Sequence, residues 1–432
     1  MTGNLPNSRC IIELYYFDAG GGHRSAMSAV KEILASECPD LTVEPVNLQK
    51  LLEPVDPMYL ASGMSSEQFY NSAIRKGWTR GSTTFLRGLQ QGIRIHAPLL
   101  ERQLLKHWSS QQPSLVVSLV PNFNAVMFRA LRRVHPYSPY VTIMTDLADS
   151  APHFWQEPQD QYIVCGSNKA ALQAHLTGWY RPERIIKTSG MILKSSFYTE
   201  PLNSSLTRDS LGLDPQKPTA LIMFGGNGSK ISHDIIAHIA RSGLDIQTIV
   251  MCGRDEQLRK KLGKQPGCHA VPFTERVADY MRLADFFIGK PGPGSISEAV
   301  HMGLPVIVEN NARTMIQERY NVTWLEENGV GLGVKNFSDI AAAIRYLLHG
   351  QTLKQYQEQA RSLKNAALFE IPQILRSILV DGYGTVPIAR DGEAACPPAA
   401  MRSRLPQVTE VLHPQCRGAD FDPVAAAYEF RR

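Results

Sequence analysis

The sequence predicts an α/β chain made of two Rossmann-like domains facing a cleft. Three observations carry this. Short, continuous apolar runs bounded by turn-forming residues alternate with stretches of helical spacing along most of the 432 residues, the pattern of parallel sheets covered on both faces. The alternation breaks once, over Pro201 to Pro218, a segment rich in Pro, Asn, Ser and Asp, and then starts again. Three of the apolar runs lead directly into glycine-rich loops, the place where an open parallel sheet binds ligands. The length suits two domains of roughly 100–200 residues with some extra chain. The expected division is a domain over 1–200, a second over 201–380 and a flexible tail over 381–432.

The elements follow in order. Cys10 to Phe17, with IIELYYF at its centre, reads as a buried strand that runs into Asp18-Ala19-Gly20-Gly21-Gly22-His23. Helical spacing begins at Ser25, with Met27, Val30 and Leu34 on one face. Leu99 to Trp108 is helical, LVVSLV (115–120) a strand, Ala125 to Arg133 helical and YVTIMT (140–145) a strand. YIVC (162–165) and RIIKTS (184–189) are strands with a helix between them. The second half opens with TALIMF (219–224) entering GGNG, followed by a helix, then DIQTIVMCG and DFFIG (285–289) as strands. Ser295 to His301 opens a helix, LPVIVE (304–309) is a strand, and a helix-rich stretch from Asp339 to Val380 closes the fold. From Asp381 the periodicity stops. The Asp420-Phe421-Asp422 string there lies outside any element and reads as chance.

Composition narrows the classes. No apolar run approaches the roughly 20 residues that span a bilayer, and the first ten residues lack a charged head before an apolar stretch. A cytoplasmic protein, free or on a membrane surface, is expected. The seven cysteines form no CxxC pair and none has zinc-ligand spacing with a histidine, so no metal site is expected. The formal net charge is +5, and its distribution is uneven. Between Glu67 and Glu101 there is no acidic residue, while Arg75, Lys76, Arg80, Arg87 and Arg94 fall in that stretch. Such a patch favours anionic partners.

The loops carry the chemistry. In Gly20-Gly21-Gly22-His23, glycines let a ligand approach the backbone, the helix N-terminus favours negative charge, and the histidine suits a general base. Gly225-Gly226-Asn227-Gly228 follows the first strand of the second half. The third loop runs Gly289-Lys290-Pro291-Gly292-Pro293-Gly294-Ser295 into Ile296-Ser297-Glu298-Ala299. Prolines stiffen it, glycines bare its backbone, and the helix that starts there makes a diphosphate cradle. Glu298 lies one turn in, within reach of a ribose. No loop has the GxxxxGK[ST] pattern, and none gives GxGxxG with an acid about twenty residues on.

As an ordered set, DAGGGHRSA (18–26), TIMTDL (142–147), FGGNG (224–228), MCGR (251–254), KPGPGSISEA (290–299), GLPVIV (303–308) and Gln317-Glu318 resemble the two-domain GT-B glycosyltransferases. Within these they resemble monogalactosyldiacylglycerol synthases, diacylglycerol glucosyltransferases and the peptidoglycan N-acetylglucosaminyltransferase that uses a lipid-linked acceptor. The resemblance covers most of 10–335. It implies an inverting transfer of a hexose from a UDP-sugar to a lipid acceptor, diacylglycerol first, with no cofactor beyond the donor substrate. His23 matches the catalytic base or its assistant, and Asp146 is placed to orient it, to bind acceptor or to cap a helix. Phe273 and Thr274 match the uracil segment, Pro293, Gly294 and Ser295 the diphosphate loop, and Glu298 the ribose ligand. Gln317 and Glu318 match the pair that reads sugar hydroxyls, and Arg254 a donor-side arginine. Gly226 and Asn227 belong to the donor-side loop. One departure concerns the acceptor: galactolipid synthases carry a histidine-proline loop where this chain has Pro121-Asn122-Phe123-Asn124. Alternatives are a soluble acceptor, a UDP-sugar 2-epimerase of the same architecture, and a non-catalytic binding relative.

The basic stretch 68–96 then reads as an interfacial helix rather than a nucleic-acid contact. Trp78, Phe85, Leu89 and Ile93 share one helical face and Lys76, Arg80, Arg87 and Arg94 the other, a pattern suited to an anionic membrane on its inner, cytoplasmic side. The competing account is an ordinary helix that buries its aromatics in the first domain.

Overall fold

A computed structural model describes residues 10–18, 21–56, 59, 63, 82–150, 153–200, 205–226, 228–312 and 314–384; the side chains of 82–86 and 381–384 are not included. Gly20, Asn227, residues 68–81 of the basic stretch and 385–432 of the expected tail lie outside this set.

The first sheet contains β1 (Cys10–Tyr16), β2 (Leu41–Asn47), β3 (Leu115–Ser118), β4 (Tyr140–Ile143), β5 (Tyr162–Cys165) and β6 (Ile185–Lys187), in the order β2-β1-β3-β4-β5-β6. The second contains β7 (Thr219–Met223), β8 (Gln247–Gly253), β9 (Cys268–Pro272), β10 (Phe286–Gly289), β11 (Val306–Glu309) and β12 (Gly331–Val334), in the order β12-β11-β10-β7-β8-β9. Every neighbouring pair is parallel. The strand order reverses between β1 and β3 in one sheet and between β7 and β10 in the other. The three glycine loops follow β1, β7 and β10, so each leaves a strand at the switch point of its sheet, where the crevice for a ligand opens.

The interior strands are apolar on both faces because helices cover both. In β1, Ile12, Leu14 and Tyr15 are fully buried. Helix Gly22–Glu37 covers one face with Ala26, Met27, Val30, Ile33 and Leu34, the three-and-four spacing of a helical stripe. On the other face, Glu13 is a buried carboxylate that holds helix Ser82–Trp108 by its end. It accepts from Tyr15 Oη at 2.6 Å, Trp108 Nε1 at 2.7 Å and His107 Nε2 at 3.0 Å. Burial alone would raise its pKa, but these donors outweigh burial and hold it below the usual value.

Helix Ser82–Trp108 differs from the expected arrangement. One continuous element replaces an interfacial helix and a separate helix from Leu99, and it runs through Gly88, Gly92 and Pro98. Ile93, expected on a lipid face, packs against the first core, whereas Arg87, Arg94, Ile95 and Leu99 are exposed. Trp78, Phe85, Lys76 and Arg80 are not among the described side chains.

Helix Ala367–Gly384, counted with the second domain on sequence and overlapping the start of the expected tail, packs on the first. Leu368, Ile371, Leu375 and Ile378 join Ala26, Val30, Ile33 and Leu34 in one cluster. The Arg376 guanidinium reaches both carboxylate oxygens of Asp40 and the Cys38 sulfur. The chain therefore crosses between the sheets twice, once through 188–218 and again near Asn365, whose amide donates to the Met191 carbonyl at 2.9 Å.

Ile371→Ala is expected to cost about 2–5 kcal/mol. Denaturant unfolding followed by the first domain's Trp108 and Trp155 checks this. An unchanged midpoint would show that the helix does not hold that core.

Candidate functional site

The chain turns out of β1 through Gly21, whose φ of 87° lies in the left-handed region that favours glycine. Helix Gly22–Glu37 begins at once, so His23 stands in its first turn and not on the loop before it. No side chain caps this N-terminus, and its first turn holds no acid. His23 Nδ1 lies 3.1 Å from Thr145 Oγ1, at the end of β4. Its ring centroid is 5.9 Å from Trp155. Burial pulls its pKa down to about 4, against a hydrogen bond to the Leu119 backbone that favours the charged form. At neutral pH the ring is neutral and able to accept a proton.

Asp146 is almost fully buried, and its Oδ2 accepts from Trp155 Nε1 at 2.7 Å rather than from a helix N-terminus. Burial raises its pKa to about 7. Trp155 opposes the shift, Glu318 adds to it and Lys290 subtracts from it. Glu318 and Lys290 belong to the second sheet, so Asp146 already feels charge across the cleft. Trp155 thus touches both groups that the first sheet offers. It carries no motif, and its role was not legible in the sequence.

The facing edge is built from the second sheet. Helix Pro293–His301 starts with Pro293 at its first position after Gly292, again without a side-chain cap. Its free amide groups and dipole make it a seat for an anion. Ser295 Oγ donates to the Gly292 carbonyl at 3.2 Å. A β-carbon on Gly292 would come within 3.2 Å of Lys290 Cε and 3.7 Å of Glu318 Oε1, so glycine admits these two side chains. Lys290 Nζ and Glu318 Oε1 are 3.1 Å apart. Lys290, inside the third loop but not singled out on sequence, is therefore part of the site. Glu298 lies in the second turn of the helix; burial raises its pKa to about 7, with Lys194 pulling the other way. Gln317 Oε1 is buried without a hydrogen-bond partner among the described residues.

Beside these, Arg254 lays its guanidinium 4.2 Å from the centroid of the Phe273 ring, an attraction between cation and ring face. Phe273 is itself 43% exposed, a large apolar ring left open. Thr274 Oγ1 accepts from the Arg276 amide at 3.0 Å. The Gly226 and Gly253 backbones lie so close that a β-carbon on Gly253 would strike the Gly226 carbonyl.

One cavity of about 680 Å³ gathers these groups. Gly21, Gly22, His23 and Asp146 line it from the first sheet. Gly226, Arg254, Phe273, Thr274, Pro293, Gly294, Ser295, Glu298, Gln317 and Glu318 line it from the second. Asn122 is not among the lining residues. Its backbone is left-handed, its amide donates to the Phe154 carbonyl at 2.8 Å and its side chain accepts from Gln90 at 2.9 Å. It shapes the loop behind the cavity wall, beside Phe154, which lines the cavity. Among the described residues no cluster of His, Cys, Asp and Glu could hold a metal ion, and no helix is long and apolar enough to cross a membrane.

Residues 219–370 match the family profile described as "Glycosyltransferase family 28 C-terminal domain". The monogalactosyldiacylglycerol synthase of Spinacia oleracea, a chloroplastic protein, is 27% identical over 78% of this chain and 66% of its own length. Monogalactosyldiacylglycerol synthase 3 of Arabidopsis thaliana is 25% identical over 82% of this chain and 78% of its own. Among solved structures, MurG of Acinetobacter baumannii matches with a TM-score of 0.54 at 12% identity, over 85% of this chain and 99% of that one. Os79 from O. sativa in complex with UDP matches with a TM-score of 0.53 at 15% identity, over 86% and 99%. At these identities the structures speak for the fold alone.

The raised pKa of Asp146 has a consequence for stability. The unfolded carboxyl loses its proton near the ordinary value of about 4, whereas the folded one keeps it to about 7. The folded state binds the extra proton across that window, so this group's effect on stability worsens as pH rises from about 4 to 7 and is constant above. Asp146→Asn, which still accepts from Trp155, is expected to melt above wild type at pH 8, with the gap closing at pH 4. A gap equal at both values would show that Asp146 is not buried as an acid.

Proposed function

We propose that this chain, a glycosyltransferase of the two-domain GT-B type whose residues 219–370 carry a family 28 C-terminal domain, moves a hexose from a UDP-sugar to a lipid acceptor, diacylglycerol first among them. The observation that carries the reading is the opposition within one cavity. A neutral histidine and a buried aspartate lie on one wall, and an uncapped helix N-terminus with a glutamate, a lysine and an unsatisfied amide lies on the other.

In the proposed reaction, an acceptor hydroxyl attacks the anomeric carbon of the donor from the His23 side. The bond from that carbon to the phosphate oxygen breaks, and UDP leaves with the electron pair. His23 takes the hydroxyl proton. The resulting imidazolium is unfavourable in a buried site, as the low pKa says. Asp146, ionised above pH about 7 and linked to the same indole, offsets that cost. The amide groups at Pro293–Ser295 receive the negative charge that builds on the departing diphosphate. Glu298 would take the ribose hydroxyls, Gln317 and Glu318 the sugar, and Phe273 with Thr274 the uracil. Asn227 would complete the donor-side loop with Gly226. Lys290, paired with Glu318, can turn to the diphosphate when a sugar engages Glu318.

Two observations support a lipid acceptor. The relatives named above are monogalactosyldiacylglycerol synthases, and the acid-free basic stretch brings exposed Arg87 and Arg94 to the surface of the first domain. The reading places the protein on an anionic membrane from the cytoplasmic side.

The test is incubation with a panel of UDP-sugars and vesicles containing diacylglycerol, followed by mass spectrometry of the lipids. A glycosylated lipid is expected. Conversion of the nucleotide sugar without acceptor would replace this reading with epimerisation. His23→Ala is expected to slow transfer by about 10²–10⁴-fold with UDP affinity near normal. A collapse of UDP affinity instead would make His23 a phosphate-side residue. Calorimetry separates the carboxylates. Glu298→Ala should weaken UDP and UDP-sugar alike, since Glu298 would hold ribose in both, while Glu318→Ala should weaken only the UDP-sugar, because Glu318 would hold the sugar. Equal losses of UDP affinity would remove this division of roles.

A further inference from the structure

Helix Asn168–Thr177 is built inside out. Its core-facing positions are alanines, Ala170 and Ala174, both fully buried, while Leu172 is 47% exposed and Leu176 62% exposed. A surface helix ordinarily turns its leucines inward, because that is where removing them from water is favourable. The alanines are needed where they stand, in the cluster with Met144, Trp155 and Ile163. Among the described residues, nothing calls for leucine on the opposite face.

The apolar surface continues beyond the helix. Gly178, in the left-handed region, ends it. Trp179 follows, partly exposed, with its ring 4.6 Å from that of His153. Gln90 of helix Ser82–Trp108 donates to the Asn122 side chain, whose backbone amide donates to the carbonyl of Phe154, the neighbour of His153, so this helix, with Arg94 exposed on it, adjoins the patch. No acidic residue occurs from Gln161 to Pro182, whereas Lys169, His175 and Arg181 do. The bordering acids are engaged. Asp160 pairs with Arg181 and Arg184, Asp149 accepts from the Trp155 amide and Glu157 from the Ala125 amide. Phe154, next to His153, lines the catalytic cavity, so whatever covers the patch stands at the cavity's edge.

We propose that Leu172, Leu176, Trp179 and His153 form a second membrane-contact surface, which sits in the headgroup and upper acyl region of an anionic bilayer beside the cleft. The surface has an apolar ridge, an aromatic residue with a polar edge, and flanking cations, and the described acids at its border are engaged, Glu183 too with Arg181, which is the chemistry that such an interface selects. A second copy of the chain fits less well. Two leucines, a half-buried tryptophan and a histidine offer less than the roughly 800 Å² per partner that a stable dimer buries. The proposal rests on the lipid-acceptor reading but is tested apart from it.

The full chain is mixed with vesicles of phosphatidylcholine and phosphatidylglycerol, some carrying brominated acyl chains. Bound protein is measured by flotation, and depth by quenching of tryptophan fluorescence. The double variant Leu172→Ser/Leu176→Ser is expected to partition about tenfold or more weaker, since a buried leucine is worth at least that factor. Its melting and its UDP affinity should match wild type. Trp179→Phe is expected to lose part of the bromolipid quenching. Transfer to bilayer diacylglycerol should fall in the double variant, while transfer to short-chain diacylglycerol in micelles persists. Unchanged partition and quenching in these variants overturns the proposal, as does a shift from dimer to monomer in solution in the double variant. If wild type glycosylates diacylglycerol in neither setting, the functional reading fails, and the flotation and quenching results still decide whether this surface meets lipid.

Discussion

Every strand in both sheets runs parallel to its neighbours, and this constraint decides where chemistry can occur. A parallel sheet sends all its strands' carboxyl ends to one edge, and each connection must turn there into a helix whose first amide groups have no partner within the helix. The edge therefore collects helix N-termini, and the loops with most room lie where the strand order reverses. In this chain both reversals carry glycines: Gly21 after β1, Gly225 to Gly228 after β7, and Gly289 to Gly294 after β10. Side chains there would close the crevice that the topology opens.

The carboxylates separate structure from function by how completely they are satisfied. Glu13 is as buried as any, yet three donors outweigh the cost of burial and leave its pKa depressed. It is a finished interaction. Asp146 has one donor and Glu298 has none among the described residues, and both titrate near 7. Gln317 keeps a buried oxygen unpaired. An unpaired buried polar atom costs about 1–3 kcal/mol, a cost that a ligand completing it removes. Hydroxyl groups, which donate, are the natural complement to two carboxylates and an amide oxygen, and sugars are rich in them.

What the sequence disclosed follows the same physics. Interior strands such as LVVS and FFIG are buried on both faces and read as unbroken apolar runs. The strands that sequence reasoning passed over, β2, β9 and β12, all lie at sheet edges. An edge strand needs a partner on one side only, so it tolerates Pro45 and Glu44 in β2, Pro272 in β9 and two glycines in β12, and its pattern fades. The glycine loops were legible because glycine is demanded by backbone approach, a local requirement. Trp155 was not, because its importance comes from touching Asp146 and His23 at once, and only the folded chain brings those together. The surroundings of Asn122 were hidden for a similar reason. It neighbours a site strand in sequence, but its polar atoms are turned to Phe154 and Gln90.

Helix Ala367–Gly384 sets the order in which the molecule can be finished during synthesis. The core around helix Gly22–Glu37 requires Leu368, Ile371, Leu375 and Ile378, which emerge from the ribosome roughly 340 residues after the groups they cover. The core around β7 to β12 needs nothing beyond Leu363 among the described residues and is complete sooner. The half translated first is thus the half completed last. Until then, the groove that will receive this helix stays open to water, and a chaperone that shields nascent chains would meet it there.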